Sequence, residues 1–372
     1  MIPGACMYGD IVDMLELKAA DIWKGEELDY EYVRALISAA AVRPGAVCKA
    51  HGLGTICPRG NTDIDVSGSP CTPWSTANRR KAGRRFRHPD LALFLIWARI
   101  ILSAPPPLLV HENVRGFPLQ LMESVLGDMF SIQVLQVTPA AIGMPHVRRP
   151  RQYFVLCCRG VMKSVPCLQA AFDRVAKRMP RHDMGAATHS LFREPADALQ
   201  MAQSHLRANI SLPPRAAAAE DSHDVVWRSS MSVGQRSSLQ QQIDRYRQRH
   251  GHEPGSDPAC LFDCGQSHDW TSNVRGLPTL RRNTGPLWSP WKQRWLTNRE
   301  RSTAMGYPVF PDLAQAAGVS MVGQKLPNRS IGNAMHVPSV GVVLALVLVA
   351  CEPQCCSDMS ERDTTAKHTT SV

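Results

Sequence analysis

The chain is expected to fold as an α/β protein, and three observations carry that expectation. Short apolar runs of strand length alternate with longer segments whose apolar residues recur at helical spacing. Leu108–His111 is a short, mostly apolar run of the buried-strand kind, and Ser131–Thr138 and Gln152–Cys158 read as two further strands. Helices separate the strands, so crossover connections within one sheet follow.

The elements can be justified in order. Tyr8-Gly9-Asp10 reads as a loop after a strand end. Residues 11–24 and 29–42 have helical spacing, with Asp29 as a candidate N-cap. A strand is expected over 61–67, then a basic loop, Asn78 to His88. Asp90–Ser103 is apolar on most sides and reads as a helix. Leu108–His111 is a buried strand, Pro118–Gly127 a helix, and Ser131–Thr138 and Gln152–Cys158 two more strands. Beyond about residue 160 the composition turns to Arg, His, Ser, Gln and Pro with weak periodicity, and Gln240–His250 is a basic helical candidate there. Val337–Ala350 is apolar, short for a bilayer, and reads as a buried helix. The domains expected are a catalytic core over 1–160, a partly disordered recognition region over 161–290, a return to the core over 291–351, and a disordered tail from 352.

A formal net charge of +10 favours a polyanionic partner, nucleic acid first. Met1-Ile2-Pro3-Gly4 does not open a secretory signal, and the twelve irregularly spaced cysteines read as reduced thiols. The chain is therefore expected not to be secreted, to act in the nucleus or the cytoplasm according to its host, to be a monomer and to have no membrane partner. Zinc is not expected, because Cys260-x3-Cys264-x3-His268 lacks a second ligand pair at finger spacing.

The segment Ser67-Gly68-Ser69-Pro70-Cys71-Thr72-Pro73-Trp74 delivers a cysteine onto a loop directly after a strand. Pro70 restricts the backbone before it, and the cations that follow favour a thiolate. The dipeptide alone is common, as Cys57-Pro58 shows. What gives it weight is the order of the blocks behind it. Leu108-Leu109-Val110-His111-Glu112-Asn113-Val114 follows, then Arg148-Arg149-Pro150-Arg151 entering a strand. Arg294-Trp295-Leu296-Thr297-Asn298-Arg299-Glu300 runs on to Gly306-Tyr307-Pro308, and Gly332-Asn333-Ala334 precedes Pro338.

In that order the set resembles the cytosine-C5 DNA methyltransferases. The resemblance implies a Rossmann-like doubly wound sheet of the S-adenosylmethionine methyltransferase type, with its first strands absent from these residues, and a smaller irregular target-recognition domain. Cys71 would be the nucleophile that adds to cytosine C6, and Glu112 would contact or protonate N3. Arg149 and Arg151 align with the family's two arginines, which bond the cytosine O2 and brace the glutamate. Asn113 would order the active-site loop on the nucleic-acid side, and Arg79, Arg80, Arg84 and Arg85 would meet phosphates. The donor, S-adenosylmethionine, would be met by Asp10, Ile11, Pro70, Leu93, Asn333 and Ala334. No Phe-x-Gly-x-Gly donor loop precedes Gly9-Asp10, and Leu261–Gly265 is a poor match in the wrong place. A chain that starts late in its gene is one expectation, and a donor end supplied otherwise is the other. The expected activity is methyl transfer to C5 of a flipped cytosine in duplex DNA. The alternatives are a tRNA substrate or an inactive nucleic-acid-binding protein.

Overall fold

The computed structural model describes residues 6–23, 25–52, 54–75, 85–200, 231–265, 275–281, 284–319 and 328–354, with 328–330 as backbone. The chain divides into two compact units: Met1–Val137 with Pro150–Asp173 and Val343–Val372, and Thr138–Arg149 with Arg174–Val342. Most of the block expected to return to the core, residues 291–342, belongs to the second unit instead.

The first unit begins with a 3-10 turn at Ile11–Met14, capped by Asp10, and a short helix α1 (Ala19–Ile22), where a single helix over 11–24 is expected. Leu15 breaks the run by bridging to Val42 in extended conformation. Helix α2 (Tyr30–Ala39) starts at Asp29, whose carboxylate accepts from the Tyr32 N–H as an N-cap should. Strands β1 (Gly45–Val47) and β2 (Ile56–Pro58) form an antiparallel hairpin that the sequence reading lacks.

The main sheet contains β3 (Ile64–Ser67), β4 (Leu108–Asn113), β5 (Phe130–Val137) and β6 (Arg151–Cys158), in the spatial order β3-β4-β6-β5. Helices α3 (Leu91–Ser103) and α4 (Leu119–Leu126) lie in the connections β3 to β4 and β4 to β5. β3 and β4 are parallel, and β6 runs antiparallel to both β4 and β5. The ends of β3 and β4 and the start of β6 therefore share one edge of the sheet. Open α/β sheets bind ligands at the carboxyl ends of their parallel strands.

Alternation across the pleat divides the sheet into two faces. Leu109, Phe154, Leu156, Phe130 and Ile132 face one apolar core with α2, α3 and α4. On the other face Gln133 accepts from the Leu168 N–H at the start of helix α5 (Leu168–Arg178). Cys157 meets Cys351 there, on a short strand, Cys351–Pro353, that pairs with β7 (Met162–Ser164). The sheet is covered on both faces, and every residue of β4 and β6 is buried. It is a doubly wound α/β sheet of the Rossmann-like kind.

The second unit has helices α6 (Met184–His189) and α7 (Val233–His250) and a small antiparallel sheet, β8 (Phe262–Asp263), β9 (Leu287–Ser289) and β10 (Arg294–Trp295). α7 contains the expected basic segment and begins at a capping box of Ser232 and Gln235. The region expected to be loop-rich thus has a core of its own, in which Leu239, Ile243 and Tyr246 pack on Phe262 and Trp288. Of the partial disorder expected over 161–290 and the disordered tail expected over 352–372, residues 201–230, 266–274 and 355–372 lie outside the described residues, while Glu352 and Pro353 belong to the Cys351–Pro353 strand.

Val337–Ala350 is helical but not a buried helix. Ser339, Val343 and Val347 are inward, four residues apart, whereas Leu348 and Val349 are exposed. Counted with the helical turn that precedes it, the segment Ile331–Ala350 is long and apolar enough to cross a membrane by length and composition alone.

Candidate active site

The site is built on the shared edge of the main sheet. β3 ends at Ser67, and the loop Gly68–Trp74 puts the half-buried Cys71 just beyond that edge. β4 brings His111, Glu112 and Asn113 to the same edge, and β6 starts there with Arg151. Alternation then sends His111 and Asn113 to one face and Glu112 to the other.

On the Glu112 face, the antiparallel register pairs Glu112 with Tyr153. Arg151 is two residues from Tyr153 on the same face, within diagonal reach. Its Nε lies 2.7 Å from Glu112 Oε1, with both side chains about nine-tenths buried. Glu112 Oε1 is shielded from solvent and makes no aligned hydrogen bond, so the contact is one of charge. Arg151 Nη1 also donates to the Pro150 carbonyl, which fixes the guanidinium.

The other face braces the cysteine loop. Ser69 N–H points to His111 Nε2 at 3.4 Å, and Ser67 Oγ is 3.1 Å from His111 Nδ1. A backbone N–H can only donate, so Nε2 accepts, and Nδ1 carries the proton toward Ser67. Burial against Trp97, with ring centroids 4.3 Å apart, pushes the imidazole pKa down to about 3 and keeps the ring neutral. Asn113 Nδ2 donates to the Ser69 carbonyl at 3.3 Å and to Ser69 Oγ at 3.0 Å, while its Oδ1 accepts from the Val114 N–H. Asn113 thus braces the cysteine loop from a buried position, in keeping with the loop-ordering role that the resemblance implies.

Gly116 completes the brace. A Cβ at that position would stand 2.7 Å from the Trp74 carbonyl oxygen, so only glycine lets the two segments approach. Trp74 is buried edge-on against Phe117, at 5.8 Å, and Phe86, at 5.4 Å. His111, Gly116 and the two serines are the parts that the sequence reading misses. Their signal is the alternation within His-Glu-Asn, which assigns the three residues to opposite faces.

Arg149 departs from its expected catalytic role. It lies in the second unit, ahead of the first residue of β6. Its Nη2 donates to the Ala334 carbonyl at 2.6 Å and its Nη1 to the Leu280 carbonyl at 3.2 Å, with Gly332 O at 3.5 Å from both nitrogens. The guanidinium is consumed by backbone carbonyls and acts as a clamp on the Gly332-Asn333-Ala334 turn.

The expected donor residues are divided between the two units. Asp10 is exposed and its carboxylate caps the Ile11–Met14 turn, accepting from Val12 N–H at 3.1 Å. Ile11 and Leu93 pack on the apolar core. Pro70 sits in the cysteine loop, whereas Asn333 and Ala334 belong to the second unit. Among the described residues no glycine loop presents backbone N–H groups beside Asp10, so the residues present do not by themselves fit the donor. Of the expected phosphate contacts, Arg85 is exposed, while Arg79, Arg80 and Arg84 lie outside the described residues. A cavity of about 250 Å³ in the second unit, lined by Tyr246, His250, Asp257 and Arg275, contains none of the expected catalytic residues.

The C-terminal blocks build the second unit. Thr297 and Glu300 form a capping box at helix α8 (Asn298–Ala304). The fully buried Glu300 accepts from Arg294 Nη2 and Nη1, at 2.7 and 2.8 Å, and Arg299 pairs with Glu194 at 3.0 Å. Gly306, at φ +85°, packs directly on Pro338.

The sequence matches the profile of the family described as C-5 cytosine-specific DNA methylase over residues 55–345. Among solved structures it is similar to the Dnmt2 methyltransferase of S. pombe, at 18% identity over 77% of each chain with a TM-score of 0.39. It is also similar to the Entamoeba histolytica methyltransferase EhMeth, at 14% identity over 77% of each chain with a TM-score of 0.40. No curated protein matches the chain. With more than half of its length under the family profile, and with the Pro-Cys loop and the Glu-Asn-Val strand end meeting at one sheet edge, the chain belongs to the C-5 cytosine-specific DNA methylase family.

Proposed function

We propose that the protein is a DNA (cytosine-5)-methyltransferase that uses S-adenosylmethionine and works on a cytosine flipped out of the duplex. The observation that supports this most is the Glu112–Arg151 ion pair at the sheet edge where the Cys71 loop emerges. Cytosine C5 is a poor nucleophile. Addition of the Cys71 thiolate to C6 breaks the C5=C6 π bond and gives C5 enamine character. Charge then builds on the pyrimidine, and a carboxyl group at N3 stabilises it. Arg151 holds Glu112 through Oε1, and the second carboxylate oxygen would meet the base. His111 and Asn113 fix the loop, which limits the positions open to the thiol.

The base must leave the stack to reach a group at this depth, which motivates flipping. The net charge of +10 and the exposed Arg85 support a phosphate-binding surface. S-adenosylmethionine would supply the methyl group.

Duplex containing 5-fluorocytosine tests the reading. Wild-type protein should form a denaturant-stable adduct with it in the presence of the donor, because the fluorine blocks release of the enzyme. Cys71→Ser should bind the same duplex and form none. An adduct in that variant removes Cys71 from the nucleophile role. Incorporation of labelled methyl into tRNA but not duplex DNA overturns the choice of substrate.

A further inference from the structure

Four side chains outside the sheet edge converge at the start of the chain. His51 Nδ1 lies 3.3 Å from Cys48 Sγ, 3.3 Å from Cys57 Sγ and 3.8 Å from Cys6 Sγ. All four ligand atoms fall within 4.8 Å of one another, with Cys48 and Cys57 buried. Hydrogen bonding does not account for this. A single imidazole nitrogen has one in-plane valence, a proton or a lone pair, so it satisfies one sulfur and not three. A cation at the centre satisfies all of them. A tetrahedral ion with metal–sulfur bonds of about 2.3 Å and a metal–nitrogen bond of about 2.0 Å has sulfur–nitrogen edges of about 3.6 Å. The three observed separations bracket that value.

The backbone is arranged as a ligand loop. Cys48-Lys49-Ala50-His51 has two residues between the sulfur and the imidazole. The N–H groups of Met7, Ala50 and His51 are directed at Cys48 Sγ, the support a metal-bound thiolate needs. Gly52, at φ +102°, and Gly54, at φ +81°, then reverse the chain. Cys48 N–H donates to the Thr55 carbonyl, and β2 returns with Cys57 opposite Ala46. Cys6 arrives on a separate segment, held by Lys49 N–H on the Met7 carbonyl and by the Tyr8–Cys48 bridge.

We propose that Cys6, Cys48, His51 and Cys57 form a structural zinc site. Three thiolates and one imidazole in a tetrahedral set select zinc among the common divalent ions. Four protein ligands close the coordination shell, so the site holds structure and does no chemistry. What it holds is the segment leading to Asp10, four residues after Cys6, on the β1–β2 hairpin. The inference is independent of the methyltransferase reading.

Elemental analysis of the full chain, expressed without a polyhistidine tag and passed over chelating resin, should give about one zinc per chain. The Cys48→Ser/Cys57→Ser double variant should give none. Because that variant can fail to fold, cobalt(II) exchange on the wild type supplies a second reading. A tetrahedral visible spectrum with thiolate charge-transfer bands is expected, and His51→Cys should keep the metal while strengthening those bands. Wild-type protein with no tightly bound zinc, a six-coordinate cobalt spectrum, a disulfide among these cysteines in freshly purified protein, or full zinc retention in the double variant each overturns the site.

Discussion

Glu112 and Arg151 meet across the β4–β6 ladder as diagonal neighbours, with Arg151 Nε 2.7 Å from Glu112 Oε1. The contact places a carboxylate in a buried position and offsets its charge from one side only. Glu112→Gln preserves shape and removes the charge and the proton. We expect single-turnover methylation to fall by about 10²–10⁴-fold, the usual worth of a positioned acid or base, while duplex affinity changes little. Turnover equal to wild type would remove Glu112 from the chemistry.

Arg151 can be tested separately, because it acts through Glu112. Arg151→Ala leaves a buried carboxylate without its partner, at a cost of about 3–5 kcal/mol of stability. Arg151→Lys keeps the charge but not the planar fork, and should retain most of the fold while lowering turnover. Thermal denaturation beside the rate assay separates the two effects. Equal losses of stability in both variants would mean that charge is irrelevant at this position.

Gly116 and the Trp74 carbonyl make the closest approach in the brace of the cysteine loop. Gly116→Ala drives a Cβ against backbone, which cannot yield as a flexible side chain does. A loss of about 1–3 kcal/mol is expected from the overpacking. The displaced loop carries Cys71, so adduct formation with 5-fluorocytosine duplex should slow as well. A variant that loses stability but forms adduct at the wild-type rate would show that the loop tolerates the shift.

The parts of the fold legible in the sequence are those set by local pattern. β4 and β6 stand out because both faces are buried, and Asp29 announces its helix by chemistry that reaches only three residues. The parts that were not legible depend on direction or distance. Arg149 and Arg151 look equivalent as a motif, yet β6 begins at Arg151 and Arg149 turns to carbonyls of the second unit. The four proposed zinc ligands are spread over residues 6–57, and spacing rules built on close pairs find only Cys48 and His51. The hairpin that gathers them has strands of three residues with Gly45 and Pro58 in them, too short for a period. Composition, too, misplaces the domain boundary: polarity shifts near residue 160, but Thr138–Arg149 already belongs to the second unit.

His111 makes the first unit sensitive to acid. Burial holds its pKa at about 3, whereas an unfolded histidine titrates near 6.5. Between those values the unfolded chain binds a proton that the folded chain refuses. The contribution is complete above about pH 6.5 and is lost progressively as the pH falls toward 3. His146, held at about 4 by burial and by His182, and His336, held at about 3 by burial and by Arg149, act in the same direction in the second unit. Urea midpoints measured between pH 7 and pH 4 should therefore decline. His111→Gln, which does not titrate, should flatten the slope for the first unit, at the cost of its bonds to Ser67 and Ser69. An unchanged slope would mean that His111 is protonated in the folded protein.

Glu300 and Arg294 pose the corresponding question in the second unit. Glu300 is fully buried, takes two bonds from Arg294, and accepts from the N–H groups of Thr297 and Glu194. Arg294→Met removes one charge and strands the other, which should cost about 3–5 kcal/mol. Replacing both, Arg294→Met with Glu300→Leu, removes the uncompensated charge. An apolar pair of similar volume is often neutral at such sites. Here full recovery is not expected, because an aliphatic side chain at position 300 offers no acceptor to the Thr297 and Glu194 N–H groups. Each buried donor left without a partner costs about 1–3 kcal/mol. The double variant should therefore be more stable than Arg294→Met alone and less stable than wild type. Chemical denaturation followed by hydrogen exchange of the α8 amides reports this unit. A double variant no better than the single one would show that the capping bonds of Glu300, and not its charge pairing, hold α8 in place.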